Sequence, residues 1–398
     1  MGKSAAAIAG FTEWAPRRRW DEPMFGLEAC AQLAAEVLAD AQVDKDEVNG
    51  LVTGGLQESP LFAPLALAEY LGVHSSFNEV VDIGGATCGG MVWRAAAAIE
   101  VGACDTVLVL APSVPPPPQT GPGKEKMQLP VYLGGDAWGS PQEQFDIPSG
   151  LVAATPGFAM VASRYMAEYG VSPETLAKVV VHERYNAQKN PKAIFRDKPV
   201  SIEDVLNSPL IADPIHLYEM VMPCFGGAAV LVTSVERAKR GPHRPVIVSG
   251  FGEHVTHKTV TYMPNLVDTP GRIAAERAFA MAGASRDGVD IASLYDCYTI
   301  TILLTIEDAG FCKKGEGGRF IDEHDLRYDG GDWPLNTHGG QLGMGQGGLA
   351  GGMSHVIDSV TQLQGRAGDR QLPRAELAYV TAPGGLMASH VGLVLEGA

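Results

Sequence analysis

The sequence predicts a layered α/β fold, in which mixed sheets carry helices on both faces, and three observations support that expectation. Uniformly apolar runs such as TVLVLA (106–111), AAVLVTS (228–234) and PVIVSG (245–250) have the composition of strands buried on both faces. They alternate with stretches in which apolar residues recur at helical spacing. A segment near the start of the chain also recurs, weakly, 241 residues later, and long-range self-similarity of this kind marks a duplicated architecture.

Taken in order, residues 5–11 read as a first strand. They are too short for a secretory apolar region and run into Glu13 and Trp14 without a small-residue cleavage pattern. Residues 26–52 read as an amphipathic helix, an acidic turn and a strand, with Ala34, Leu38 and Ala41 at helical spacing before Asp46, Val48 and Leu51. Residues 273–294 repeat this grammar, with Phe279, Ala282, Asp287 and Val289 in the places of Leu38, Ala41, Asp46 and Val48. A second pair consists of helix 93–101 with strand 106–111, and helix 353–363 with strand 377–382, each helix preceded by glycines. Residues 112–150 contain the run Pro115 to Pro118 and many glycines, which excludes helix or central strand. With helical stretches near 157–169 and 173–187, they predict an insertion over 113–215 that covers a site. The halves meet near 240–245, which predicts domains over 1–240 and 241–398, sizes usual for a 398-residue chain.

A formal charge of −16 would repel phosphodiester backbones, so nucleic acid is not an expected partner. With 45% hydrophobic and 19% charged residues the chain falls in the soluble globular class. No run approaches the roughly 18–20 apolar residues that span a bilayer, so no membrane span is expected and the cytoplasm is the default location. The six cysteines, Cys30, Cys88, Cys104, Cys224, Cys297 and Cys312, have no CxxC spacing and predict reduced thiols without a disulfide framework or metal site.

Four stretches carry residues suited to chemistry. GGATCGGMVWRAAAAIEVG (84–102) sets small residues at a strand-to-helix turn, where amides and the helix dipole stabilise an anion. Cys88 there is either an activated, acyl-accepting thiol or a small buried packing residue. LYDCYTITILLTIEDAGFCKKGEGG (294–318) places Tyr295, Asp296, Cys297 and Tyr298 at a strand end, where α/β sites collect. A tyrosine hydroxyl in that position can shuttle a proton or donate to an oxyanion, whereas Asp296 can act in the site or simply cap the helix near Thr299. NTHGGQLGMGQGGLAGG (336–352) has eight glycines among the fourteen residues 339–352, so backbone there must approach something closely. His338, as a proton carrier, and Gln346, as an amide donor, are its candidates, with Gly345 a candidate for backbone contact with substrate. His355 is a weaker candidate. TAPGGLMASH (381–390) adds Gly384 and Gly385, whose amides can line an oxyanion hole or form a plain loop.

Together these blocks resemble the thiolase superfamily over nearly the whole chain, and within it the sterol-carrier-protein-type thiolases and thiolase-like aldolases of steroid side-chain breakdown. The most specific piece is YDCYTITILLTIEDAGFCKKGEGG, similar to the subgroup's HDCF motif with Tyr295 in place of His. PIHLYEMVMPCFGGAAVLVTS (214–234) looks like the end of the family's first half. The resemblance implies two similar five-stranded mixed-sheet domains in α-β-α-β-α layers, a loop domain inserted in the first, and a homodimer. It also implies an acyl-CoA thioester as substrate, no bound cofactor, and a separate small partner protein with an OB fold and zinc ribbon.

The catalytic set departs from the family's. Its nucleophilic cysteine position falls on Ala86, two residues before Cys88; its Gly-His-Pro histidine falls on Gln346; its C-terminal cysteine falls near Thr381 or Ala382. A Claisen thiolase needs a thiolate and a second base, whereas cleaving a β-hydroxyacyl thioester needs only deprotonation of the hydroxyl and stabilisation of the enolate. The thiolase-like aldolases resemble this chain in carrying Tyr at the Tyr295 position, but they also use a second tyrosine near the place of Gln346. The favoured expectation is a cysteine-independent (retro-)aldolase. The alternatives are an acetyl-CoA acyltransferase using Cys88 and a non-catalytic acyl-CoA-binding subunit.

Overall fold

The computed structural model describes residues 4–115, 117 and 139–398, so most of the proline and glycine stretch after Pro115 lies outside the described residues. The first part of the chain forms β1 (Ala6–Glu13), α1 (Gly26–Ala41), β2 (Gly50–Thr53), α2 (Ala63–Leu71), β3 (Phe77–Val80), α3 (Thr87–Glu100) and β4 (Thr106–Ser113). α4 (Ala154–Tyr169), α5 (Pro173–Ala187) and α6 (Ile202–Leu206) follow, then the small hairpin β5 (Leu210–Ala212) and β6 (Ile215–His216), β7 (Gly226–Ser234) and α7 (Val235–Ala238). The remainder forms β8 (Val246–Val255), α8 (Gly271–Ala282), β9 (Ile291–Leu294), α9 (Thr299–Ala309) and α10 (Gly317–Glu323), then α11 (Gly340–Met344), α12 (Leu349–Leu363), β10 (Leu377–Gly384) and β11 (Ser389–Gly397).

Pairing records the duplication that the sequence repeat predicts. Strands run in the order β3-β2-β4-β7-β1-β8-β11-β10-β9. In the first part β1 pairs antiparallel with β7, β7 antiparallel with β4, and β4 parallel with β2. In the second, β8 pairs antiparallel with β11, β11 antiparallel with β10, and β10 parallel with β9. β3, parallel to β2, completes five strands on the first side. Its counterpart beside β9 is reduced to a single parallel bridge, Ala292 to Leu335. The reason is local: Pro334 has no N–H to donate and Asn336 has φ +46°, so the ladder ends on both sides of Leu335. The two sets join edge to edge through β1 and β8 over Ala7–Ile247 and Ile8–Val246.

The layers follow from what each helix covers. α1 packs on β1, β4 and β7 from outside, and α8 covers β8 and β11 in the same way. α3 and α12 pack against each other and touch strands of both sets, giving the expected α-β-α-β-α order. Their composition fits that central place, because a helix between two sheets has no solvent face. Cys88, Met91, Val92, Ala95 and Ala96 of α3 are fully buried. In α12 every residue from Ala350 to Leu363 is buried, including Ser354, His355, Asp358, Ser359, Thr361 and Gln362. Polar groups so placed need partners, and those partners lead to the site.

Candidate active site

Tyr295 leaves the end of β9, where its N–H donates to the Thr381 carbonyl at 3.0 Å and its carbonyl accepts from Thr301 Oγ1 at 3.0 Å. The backbone is thereby pinned on both sides, and the 5% exposed ring points inward. Gln346 Nε2 donates to the Tyr295 hydroxyl at 2.9 Å. Gln346 is itself held by backbone bonds, its N–H to the Met222 carbonyl at 2.9 Å and its carbonyl to Cys224 N–H at 2.8 Å. The two candidates 51 residues apart in sequence thus meet in one buried place.

One glycine turn, 84–85, closes beside that hydroxyl, and a second, 384–385, packs against the first. A Cβ on Gly85 would lie 3.0 Å from Tyr295 Oη, and one on Gly84 would lie 2.7 Å from the Gly385 amide nitrogen. A Cβ on Gly384 would collide with the Ile83 carbonyl oxygen. These turns therefore exclude side chains so that backbone can approach the phenol. Gly384 and Gly385 lie against Ile83 and Gly84, one residue before the Gly85 that meets the Tyr295 ring. Gly345 lies elsewhere: its N–H is spent on the Gln341 carbonyl at 2.9 Å, and its α-carbon faces Ile194 and Cys224. That residue sits in a turn, with φ +97° placing Gln346.

Asp296 is fully buried and accepts from the amides of Gln341 at 2.7 Å and Leu342 at 2.9 Å, capping α11. It binds no part of α9, the helix at Thr299. α11 ends just before Gly345 and Gln346, so Asp296 ties the strand carrying Tyr295 to the segment carrying Gln346. His355 packs its ring 5.6 Å from the Tyr295 ring and lies 3.3 Å from Asp296. Burial lowers the His355 pKa despite that carboxylate, so the ring is neutral and the contact is not an ion pair.

His338 is set one ring further back, 5.2 Å from His355 and not against Tyr295. Burial alone would lower its pKa, but Asp358 at 3.2 Å outweighs burial and raises it. Asp358, in turn, is held below the usual carboxylate range by His338 and by Arg370 at 3.3 Å despite its burial. His338 thus lies beside Asp358, behind the ring of His355 rather than against Tyr295.

Of the two readings of Cys88, its surroundings favour packing. Its thiol is fully buried in the contact between α3 and α12, donating to the Leu349 carbonyl at 3.1 Å. Burial raises its pKa, opposing the thiolate that a nucleophile needs. The helix N-terminus does not rescue it, because the Sγ faces a carbonyl oxygen. Among the described residues no group of three or more His, Cys, Asp or Glu is placed to hold a metal ion.

Sequence reasoning missed Glu183 and Asn336. Asn336 Nδ2 donates to Glu183 Oε1 at 2.7 Å and to the Leu294 carbonyl at 2.8 Å, while its Oδ1 accepts from Leu294 N–H at 2.8 Å. A signal was present for Glu183, since it continues the apolar stripe Leu176, Val179, Val180 on the buried face of α5. The glycine excess at 339–352 is also explained here: a Cβ on Gly339 would strike Ala187, and one on Gly343 the Glu183 carbonyl oxygen at 2.7 Å. What approaches closely at those two glycines is the backbone of α5.

Comparison with known proteins gives a consistent result. A family model described as "Thiolase C-terminal domain-like" matches residues 252–397. The "17-hydroxy-3-oxo-4-pregnene-20-carboxyl-CoA lyase" of Mycobacterium tuberculosis is 31% identical over 399 residues, covering 99% of each chain. The "Steroid side-chain-cleaving aldolase" of Thermomonospora curvata is 33% identical over 373 residues, covering 91% of this chain and 90% of that one. Among solved structures, the "Ltp2-ChsH2(DUF35) aldolase" superposes with a TM-score of 0.84 at 29% identity, covering 99% of this chain and 98% of that one.

Proposed function

The chain belongs to the thiolase superfamily and is a thiolase-like enzyme that makes or breaks a carbon–carbon bond in an acyl-CoA thioester, and we propose that it works as a cysteine-independent aldolase with Tyr295 as the proton-handling group. The observation that carries this reading is the Gln346 to Tyr295 hydrogen bond at 2.9 Å, beside a Cys88 thiol turned away into a helix contact.

In the cleavage direction Tyr295 Oη, acting as a phenolate that accepts the Gln346 amide hydrogen bond, takes the proton of the substrate's β-hydroxyl. The β-oxygen then forms a carbonyl, the bond between α- and β-carbons breaks, and its electron pair passes onto the thioester as an enolate. Tyr295 then returns the proton to the α-carbon, which completes the shorter acyl-CoA beside the ketone or aldehyde and restores the phenolate. Electrons balance within the substrate, so the step requires no redox cofactor and no acyl-enzyme. Gln346 stabilises the phenolate that starts the step, and the 84–85 and 384–385 turns present backbone to the thioester oxygen, where the enolate charge develops. An acyltransferase through Cys88 would need a thiolate where burial opposes one.

The acyl group belongs to the same proposal. Both relatives are named for steroid acyl or side-chain cleavage, which supports a bulky steroid acyl-CoA here. Incubation with 17-hydroxy-3-oxo-4-pregnene-20-carboxyl-CoA and mass-spectrometric detection of a ketone with a shorter acyl-CoA tests this. Release of free coenzyme A alone would contradict it.

Assembly is a proposal as well. A homodimer is supported by β3 standing at the edge of the sheet among the described residues and by exposed Leu61, Phe62 and Leu65, and a stable 42.0 kDa mass in light scattering would count against it. A separate OB-fold, zinc-ribbon partner is supported by the two-component name of the superposed aldolase; full activity of the purified chain alone would oppose it. A cytoplasmic setting is supported by six free cysteines. No helix among the described residues is long and apolar enough to cross a membrane.

A further inference from the structure

α5 does more than cover α11. It grips the short helix at both ends, since Arg184 Nε donates to the Leu342 carbonyl at 3.0 Å while Glu183, one residue earlier, reaches the end capped by Asp296. Gly340 lies between the two carboxyl groups. A Cβ there would come within 2.6 Å of Glu183 Oε2 and closer still to Asp296 Oδ2, so both oxygens converge on one point beside the first turn of α11. Asp296 Oδ2 is used by Leu342 N–H, whereas Glu183 Oε2 is buried without a hydrogen-bond partner among the described residues. Two ionised carboxylates that face one point in a dry interior repel, and a proton on Glu183 removes the conflict.

We propose that Glu183 is a positioning residue whose carboxylic acid proton is shared with Asp296, and that this acid–carboxylate pair fixes α11 and hence the aim of Gln346 at Tyr295. The inference rests on the reading of Tyr295 as the proton-handling group. Burial, reinforced by the Asp296 charge, raises the Glu183 pKa well above the ordinary range and outweighs the Asn336 amide. The other groups facing the pair are His355 and Asp358 from α12 and His338 from the turn before α11. α11 itself carries no titratable side chain, and Glu307 and Asp308 of α9 are engaged by Lys314. α6 and α10 meet α5 elsewhere, through Val180 and Thr175.

The test compares Glu183→Gln and Glu183→Leu with the unaltered protein, measuring kcat and KM for cleavage of the steroid acyl-CoA from neutral to alkaline pH. The parent protein should lose kcat at alkaline pH as the shared proton leaves. Glu183→Gln keeps shape and a donor, so it should hold neutral kcat within about twofold and lose that alkaline limb. Glu183→Leu should lower kcat by roughly 10- to 100-fold with little change in KM, because aim rather than affinity is lost. An alkaline limb unchanged in Glu183→Gln overturns the proposal, and so does a parental kcat in Glu183→Leu. If Glu183→Leu does not fold, the Glu183→Gln profile decides alone. Tyr295→Phe assayed in parallel separates the two readings: full activity there defeats the Tyr295 role itself, whereas an inactive Tyr295→Phe beside Glu183 variants that behave as the parent defeats only the shared-proton role.

Discussion

The turn that starts α3 and the turn that starts α12 occupy corresponding places in the duplicated fold, and both helices lie in the central layer. The first delivers Cys88, which is fully buried and donates to the Leu349 carbonyl at the start of the second. The second is approached through Gln346, whose amide holds the Tyr295 hydroxyl. Duplicated backbone has therefore kept its geometry while chemistry has concentrated on one side. The difference lies in what each turn must satisfy: the α3 turn is packed shut against α12, whereas the segment before α12 is an irregular crossing strip anchored by backbone bonds to residues 222 and 224.

Removing the hydroxyl on the reactive side should break the asymmetry most visibly. Tyr295→Phe keeps the ring and its contact with His355, so turnover should fall by roughly 10²- to 10⁴-fold with little change in melting temperature. Gln346→Leu leaves the phenol without its donor; a loss of about 10- to 100-fold in kcat is expected, the worth of one charge-assisted hydrogen bond.

Stability against pH sharpens the same contrast. The folded-state pKa of Glu183 is raised above its unfolded value. Its contribution to stability is therefore fully present below the ordinary glutamate value and declines as pH rises towards the raised one. Denaturant midpoints should fall with pH over that window in the parent and stay flatter in Glu183→Gln.

The smallest effect belongs to the silent side. Cys88→Ala should change turnover by less than about threefold and stability by about 1 kcal/mol, the range of a modest core truncation. Iodoacetamide should leave Cys88 unlabelled in the folded protein while labelling it after denaturation.

How much of this was legible in sequence depended on the range of the interaction. Strand composition and the 241-residue offset disclosed the duplicated layers, because burial on both faces selects apolar residues locally. Tyr295 and Gln346 were visible as residue types at a strand end and in a glycine-rich strip. Their meeting was not visible, because it depends on Asp296 fastening α11 across 45 residues. The setting of His338 was hidden for a related reason: a histidine beside glycines suits a proton carrier, and the approach of Asp358 from the next helix is a long-range contact. The glycines at 339 and 343 pointed to close approach but could not say that α5 was what approached.

The central claim is that bond cleavage proceeds by proton transfer at Tyr295 with no acyl group on Cys88. Rapid quenching during turnover of the steroid acyl-CoA, followed by intact-protein and peptide mass spectrometry, tests it most directly. The account predicts an unmodified protein mass throughout while ketone and shorter acyl-CoA accumulate. An acyl adduct that appears and decays at the rate of turnover and maps to Cys88 would contradict it.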